Sequence, residues 1–198
     1  MDSIELTTKA HHWAGTLNDE ALSFLSRRGI SPALGLRAGL GYVDEPGKRF
    51  HGAISIPYWN PDKECVGIRF RYLEPEGNKY DSIRGVKAHL YNVVDSAKSK
   101  VWLAEGEFDT LILSRLGLPA CGIPGAQSFK PAWRFLFAST DQVTICMDQD
   151  EAGQRGAQRL ASILSGIVPT VRLVRLPEGN DITDLYLRDT NALRQLLD

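Results

Sequence analysis

The sequence predicts an α/β chain: an open parallel sheet flanked by helices, preceded by a smaller basic α+β part. Three observations carry this. First, apolar runs alternate with helix-like stretches over the second half of the chain, the pattern of a parallel sheet with right-handed crossovers. Second, three of those runs finish in acid. Val101–Ala104 stops at Glu105 and is followed by Gly106 and Asp109. Val143–Met147 stops at Asp148-Gln-Asp150. Val171–Leu176 leads through Pro-Glu-Gly-Asn to Asp181 and Asp184. Third, residues 46–100 hold ten Lys or Arg against six Asp or Glu, a local balance of +4 in a chain whose net charge is −1. Base is therefore concentrated on the N-terminal side, and acid elsewhere.

The chain has 198 residues, which suits one domain or two small ones. Hydrophobic residues make up 43%, enough for a core. The charge balance advertises no general affinity for nucleic acid, so any such function must rest on a local patch. Cys65, Cys121 and Cys146 lie far apart and form no Cys-x-x-Cys pair. They predict a reduced interior and no structural zinc. No run approaches the roughly twenty apolar residues of a membrane span.

Near the N-terminus, His11-His12-Trp13 reads as an ordinary helix or arm, because adjacent histidines point in different directions. Residues 18–28 predict a helix, with Asn18 as N-cap, acids in the first turn and Arg27-Arg28 in the last. A second short helix is expected at Ser31-Pro32, with proline at its first position. Residues 53–59, 65–73 and 79–80 read as strands, with turns at Asn60-Pro-Asp-Lys and Glu74-Pro-Glu-Gly-Asn. Arg69 and Arg71 alternate with Ile68, Phe70 and Tyr72, so one sheet face should carry arginines. Arg69, Arg71, Lys79, Tyr80, Arg84 and Lys87 form the candidate nucleic-acid or nucleotide set: bases for phosphate, and a ring to stack on a nucleobase. The competing reading is a solvated face whose long basic side chains lie over apolar surface.

Residues 95–100 are polar and make a domain boundary, dividing the chain into 1–98 and 99–198. Beyond it the pattern predicts strand 101–105, helix 108–116, strand 119–123 and a loop over residues 122–128. Helix 131–138, strand 143–147, helix 152–165, strand 170–176 and one last helix over 182–197 follow. In open α/β sheets ligands bind outside the carboxyl ends of the strands. Acids crowded there repel one another, and a divalent cation relieves that cost. Oxygen-only donors suit Mg²⁺ or Mn²⁺, and Mg²⁺ so bound usually also holds substrate phosphates. The plainer reading makes Asp150 and Asp181 helix caps, a role that does not exclude metal. Glu105, at the end of an apolar strand, has no such plain explanation.

Glu105-Gly-Glu-Phe-Asp109, then Asp148-Gln-Asp150-Glu-Ala-Gly153, then Leu176-Pro-Glu-Gly-Asn-Asp181 resemble, in order, the motifs of the TOPRIM module of bacterial DnaG-type DNA primases. Upstream, Phe24–Ile30, Leu40-Gly-Tyr42, Ile54–Pro57, Arg71, Lys79-Tyr80, Lys87 and Leu90-Tyr91 resemble the catalytic core's basic N-terminal subdomain. The resemblance implies a TOPRIM Rossmann-like sheet and RNA-primer synthesis on single-stranded DNA from NTPs. It implies that Glu105, Asp148 and Asp150 hold two Mg²⁺ or Mn²⁺ ions, with Asp109 and Asp181 as supporting acids. It implies template or nucleotide contacts for Arg71, Lys79 and Lys87. A separate zinc-binding primase domain and a replicative helicase are the expected partners, in the cytoplasm of a bacterium or of a phage or plasmid host. No cysteine or histidine cluster here matches that zinc domain, and the chain reads as a trimmed core with weak unaided priming. Thr183 stands where the family often has Asp, with Asp184 next. A TOPRIM nuclease and a non-catalytic nucleic-acid-binding module are the rival readings; a topoisomerase would need room for a tyrosine-bearing cleavage domain.

Overall fold

The computed structural model describes residues 1–75, 77–177 and 181–197. The expected turn at 74–78 therefore lacks Glu76, and Glu178, Gly179 and Asn180 of the third acidic motif lie outside the described residues. The chain folds as two compact units, Met1–His89 and Leu90–Asp198.

The first unit opens with α1 (Ser3–Trp13), α2 (Asp19–Ser26) and α3 (Pro32–Arg37). Each begins on the side chain its sequence supplies. Asp2 accepts from the Glu5 N–H, Asn18 from Ala21 and Ser31 from Leu34. Such caps satisfy donors that a helix start leaves orphaned. Four antiparallel strands follow, β1 (Gly41–Tyr42), β2 (Ala53–Trp59), β3 (Cys65–Tyr72) and β4 (Tyr80–Ser82), in spatial order β1-β2-β3-β4. Leu6, Ala10 and Trp13 of α1 pack against Ala53, Cys65, Ile68 and Phe70 on one face. The two residues of β1 carry no periodicity that a sequence could show.

The second unit is a parallel sheet of β5 (Lys100–Glu105), β6 (Ala120–Ile123), β7 (Gln142–Cys146) and β8 (Thr170–Leu173), in order β6-β5-β7-β8. Four residues of β5, Val101 to Ala104, are buried, as expected of a central strand covered on both faces. Helix α4 (Glu107–Arg115) packs on β5 and β6, and α5 (Glu151–Leu164) on β7 and β8. Leu103, Ile123, Val143 and Ile145 share a core with Leu160 and Leu164 of α5 and with Phe129 and Phe137. Residues 90–98, grouped with the basic part from composition, go with this unit. The Tyr91 N–H donates to the Gly122 carbonyl at 2.8 Å and the Gly122 N–H returns a bond at 3.0 Å.

Two expected helices differ. Residues Pro131–Phe137 form a 3-10 helix, not an α-helix. Its Pro131 start and run of bulky aromatics suit a short tight turn better than a propagating helix. The last helix is two, α6 (Ile182–Arg188) and α7 (Thr190–Leu197). Asp189 leaves helical geometry at φ −155°, ψ 89°, and its carboxylate accepts the N–H groups of Asn191 and Ala192. Aspartate competes with helix continuation by capping the next turn.

Candidate functional site

The register of the parallel sheet assembles the acidic rim. Ala104 pairs with Cys146. Glu105 leaves β5 one residue beyond that pair, and Asp148 lies two residues past the end of β7, so both emerge at the sheet's carboxyl edge. Gly106 then turns the chain into α4 with φ at 91°, a region that disfavours any residue with a Cβ. Asp109 rides the first turn of α4, Asp150 caps α5 and Asp181 caps α6.

These acids act on one another electrostatically. The Asp148 carboxyl is pushed up to about 7 by burial and then, in decreasing order, by the charges of Glu105, Asp181, Asp150 and Asp184. Asp109 is held well above the usual carboxylate range, first by burial and then by Asp181, with Asp148 adding to it. Two hydrogen bonds from Thr183 oppose that rise: its N–H at 2.9 Å and its hydroxyl at 2.5 Å both donate to Asp109 Oδ1. Like charges that raise one another in this way are the environment that a divalent cation relieves.

Glu105, Asp150 and Asp181 each also accept a backbone N–H. The Ala126 N–H donates to Glu105 Oε1 at 3.0 Å, while Oε2 is buried. Asp150 accepts the Gly153 N–H at 2.7 Å and Asp181 the Asp184 N–H at 2.6 Å. A Cβ on Gly153 would collide with the Asp148 carbonyl oxygen, so only glycine lets α5 start this close to the end of β7. Among the described residues, no group of three or more His, Cys, Asp or Glu side chains stands as a ready-made chelate. The donor set fits Mg²⁺ or Mn²⁺ in chemistry, being oxygen only and excess in negative charge.

The loop over residues 122–128, expected either to offer its N–H groups to phosphate or to make a plain turn, and two residues with no expected role bear on the site. The loop after β6 gives its Ala126 N–H to Glu105; with Gly125 N–H on Ile123 and Ser128 N–H on Gly125, it is largely committed within the protein. In the sequence Thr183 is only a departure from a motif. Glu107 is 1% exposed and lies close enough to the buried Tyr91 to raise its hydroxyl further above its ordinary range, after burial itself. An acid inside the first turn of a helix carries no signal that distinguishes a buried partner from a solvated one.

In the first unit the basic set divides. Lys79, Arg84 and Lys87 are exposed. Arg69 is half-buried with its guanidinium 4.2 Å from the Tyr80 ring centre. Arg71 is buried at 5% exposure, 5.1 Å from the Phe24 ring and 5.3 Å from Tyr80, and donates to the Tyr72 carbonyl. The expected arginine face is therefore partly a packing layer, because α2 brings Phe24 over the strand. Beside it, a cleft of about 500 Å³ is lined by Arg49, Tyr72, Asn78, Tyr80 and Asp81, with Arg49 and Asp81 joined by two hydrogen bonds of 2.9 and 2.6 Å.

A parallel sheet that gathers carboxylates at one edge, with a glycine turn behind the first, defines a TOPRIM-type domain. The Toprim-like family model matches residues 102–186. The Gene 57 protein of Mycobacterium phage D29 is 35% identical over 142 residues, covering 69% of this chain and 91% of that protein. The DNA primase of Geobacillus stearothermophilus is 26% identical over 183 residues, 86% of this chain and 30% of the primase. The solved zinc-binding and RNA polymerase domains of the Aquifex aeolicus primase superpose with a TM-score of 0.82 at 21% identity, over 98% of this chain and 60% of that one. The chain belongs with the phage D29 Gene 57 protein, carries a Toprim-like domain over residues 102–186, and has the fold of DnaG-type primase catalytic cores. It spans about a third of the length of the curated primase it matches. No helix among the described residues is long and apolar enough to cross a membrane.

Proposed function

We propose that the chain is a DNA primase catalytic core that synthesises RNA primers on single-stranded DNA. The observation that carries this is the placement of Glu105 at the end of β5, Asp148 just past the end of β7, and the caps Asp150 and Asp181 at the starts of α5 and α6, in a primase-like fold. Glu105, Asp148 and Asp150 would hold two Mg²⁺ or Mn²⁺ ions, with Asp109 and Asp181 supporting them. Ions bound there supply a lowered pKa at the primer 3′-hydroxyl and a counter-charge for the leaving pyrophosphate.

The protein's own part is positioning. The Ala126 N–H fixes which way the Glu105 carboxylate points. Gly153 lets Asp148 and the Asp150 cap approach. No covalent nucleophile is required of any side chain. Exposed Lys79, Arg84 and Lys87 would bind template or triphosphate oxygens. Tyr80, backed by Arg69 and Arg71, would offer its ring to a base. A separate zinc-binding primase domain and a replicative helicase are the partners this reading expects.

The test is incubation with a single-stranded template, labelled NTPs and Mn²⁺, with and without a zinc-binding primase domain in trans. New oligoribonucleotides that vanish in Glu105→Gln support the reading. Shortened template would instead identify a TOPRIM nuclease, and retention of DNA with neither product a non-catalytic binding module.

A further inference from the structure

We infer that Thr183 is a positioning residue that holds the Asp109 carboxylate for divalent-cation binding. The inference rests on the cation site proposed above and extends it to a residue with no charge of its own.

Asp109 is 6% exposed, and Thr183 is 3% exposed. They sit on α4 and α6, 74 positions apart in sequence, and both Thr183 donors converge on one oxygen, Oδ1. Neither Thr183 donor engages Oδ2, so Thr183 fixes the carboxylate through one oxygen only. The charges of Asp181 and Asp148 both act on this group. A buried carboxylate beside two further acids costs stability, and an apolar pair would fill the same space at lower cost. Two donors spent on keeping such a group oriented mark a site maintained for a ligand. Threonine fits because it donates twice, through backbone and hydroxyl, without adding charge to an acidic rim. A carboxylate at 183 could donate only if protonated, and would otherwise repel Asp109.

The variants are Thr183→Val, which removes the hydroxyl and keeps shape and N–H, and Thr183→Ser, which keeps both donors. Mn²⁺ affinity of the full chain is measured by calorimetry, and the thermal midpoint is measured in EDTA. Loss of a group that orients a ligand typically costs 10–100-fold in metal affinity, and Thr183→Val should weaken Mn²⁺ binding by about that factor. Thr183→Ser should stay within about twofold of the parent. In an Asp109→Asn background the valine substitution should add almost nothing, since the two act as one unit. Unchanged Mn²⁺ affinity in folded Thr183→Val overturns the inference. So does loss of folding in both Thr183→Val and Thr183→Ala, which would make the tie purely structural, and so does a parent chain that binds no Mn²⁺. A parent that binds Mn²⁺ yet makes no primer defeats the primase reading alone, because the Thr183 comparison is read from binding.

Discussion

The Ala126 backbone N–H holds Oε1 of Glu105 at 3.0 Å, so the loop after β6 sets the direction of the acid that ends β5. Strand pairing makes this possible: Glu105 and Ile123 are register partners, and the loop begins where that pairing stops. The carboxylate is thus aimed by a neutral donor that any acceptor of the same shape can satisfy.

Glu105→Gln should keep that bond and lose the charge. Primer synthesis should fall by on the order of 10²–10³-fold, several kcal/mol of transition-state stabilisation. The thermal midpoint in EDTA should hold or rise. Single-turnover primer extension beside a thermal melt checks both halves; a stable variant with full activity removes Glu105 from the site.

Asp148 predicts the pH dependence. Its carboxyl sits at about 7 in the folded chain, against an ordinary value of 3.8. Folding therefore favours the protonated form. The stability this group contributes is fully present below about pH 4 and is lost as pH rises through 7. Asp109, raised in the same direction, adds to the trend. Asp148→Asn should accordingly raise the midpoint at pH 8 by about 2–4 °C, what ~1 kcal/mol yields in a chain this size after discounting for solvent screening. At pH 4 the gain should disappear. Mn²⁺ should stabilise the parent more at pH 8 than at pH 5, and should not stabilise Asp148→Asn to the same degree. Melts across that range, with and without the ion, read all of these.

Gly153→Ala should damage both stability and site. The added methyl meets the Asp148 carbonyl at the first turn of α5, where backbone, not a flexible side chain, is in the way. Overpacking of this kind costs about 1–3 kcal/mol, measurable by urea unfolding. An unchanged urea midpoint would show that α5 can shift without cost.

The basic residues should separate by experiment as they do by burial. Lys79→Ala and Lys87→Ala should each lower the salt slope of single-stranded DNA binding by about 0.7. Arg71→Ala should leave that slope nearly untouched and lower stability by about 1–2 kcal/mol, through lost packing and stacking on Phe24 and Tyr80. A salt titration beside a urea melt distinguishes them; a reduced slope in Arg71→Ala would make it a phosphate contact after all.

What sequence by itself determined is local and periodic. Apolar runs closed by Glu105 and Asp148 announced strands that end in acid, and Asn18, Ser31, Asp150 and Asp181 announced helix starts, because a cap bonds within three residues of itself. Periodicity did not reveal the break at Asp189, where a cap interrupts an otherwise continuous apolar stripe. Tertiary structure alone decided who holds whom. Thr183 reaches Asp109, Ala126 reaches Glu105, and Phe24 covers Arg71, each across elements whose meeting depends on crossover and register. A side chain's partner over such distances is set by the path of the whole chain, and no spacing of residues encodes it.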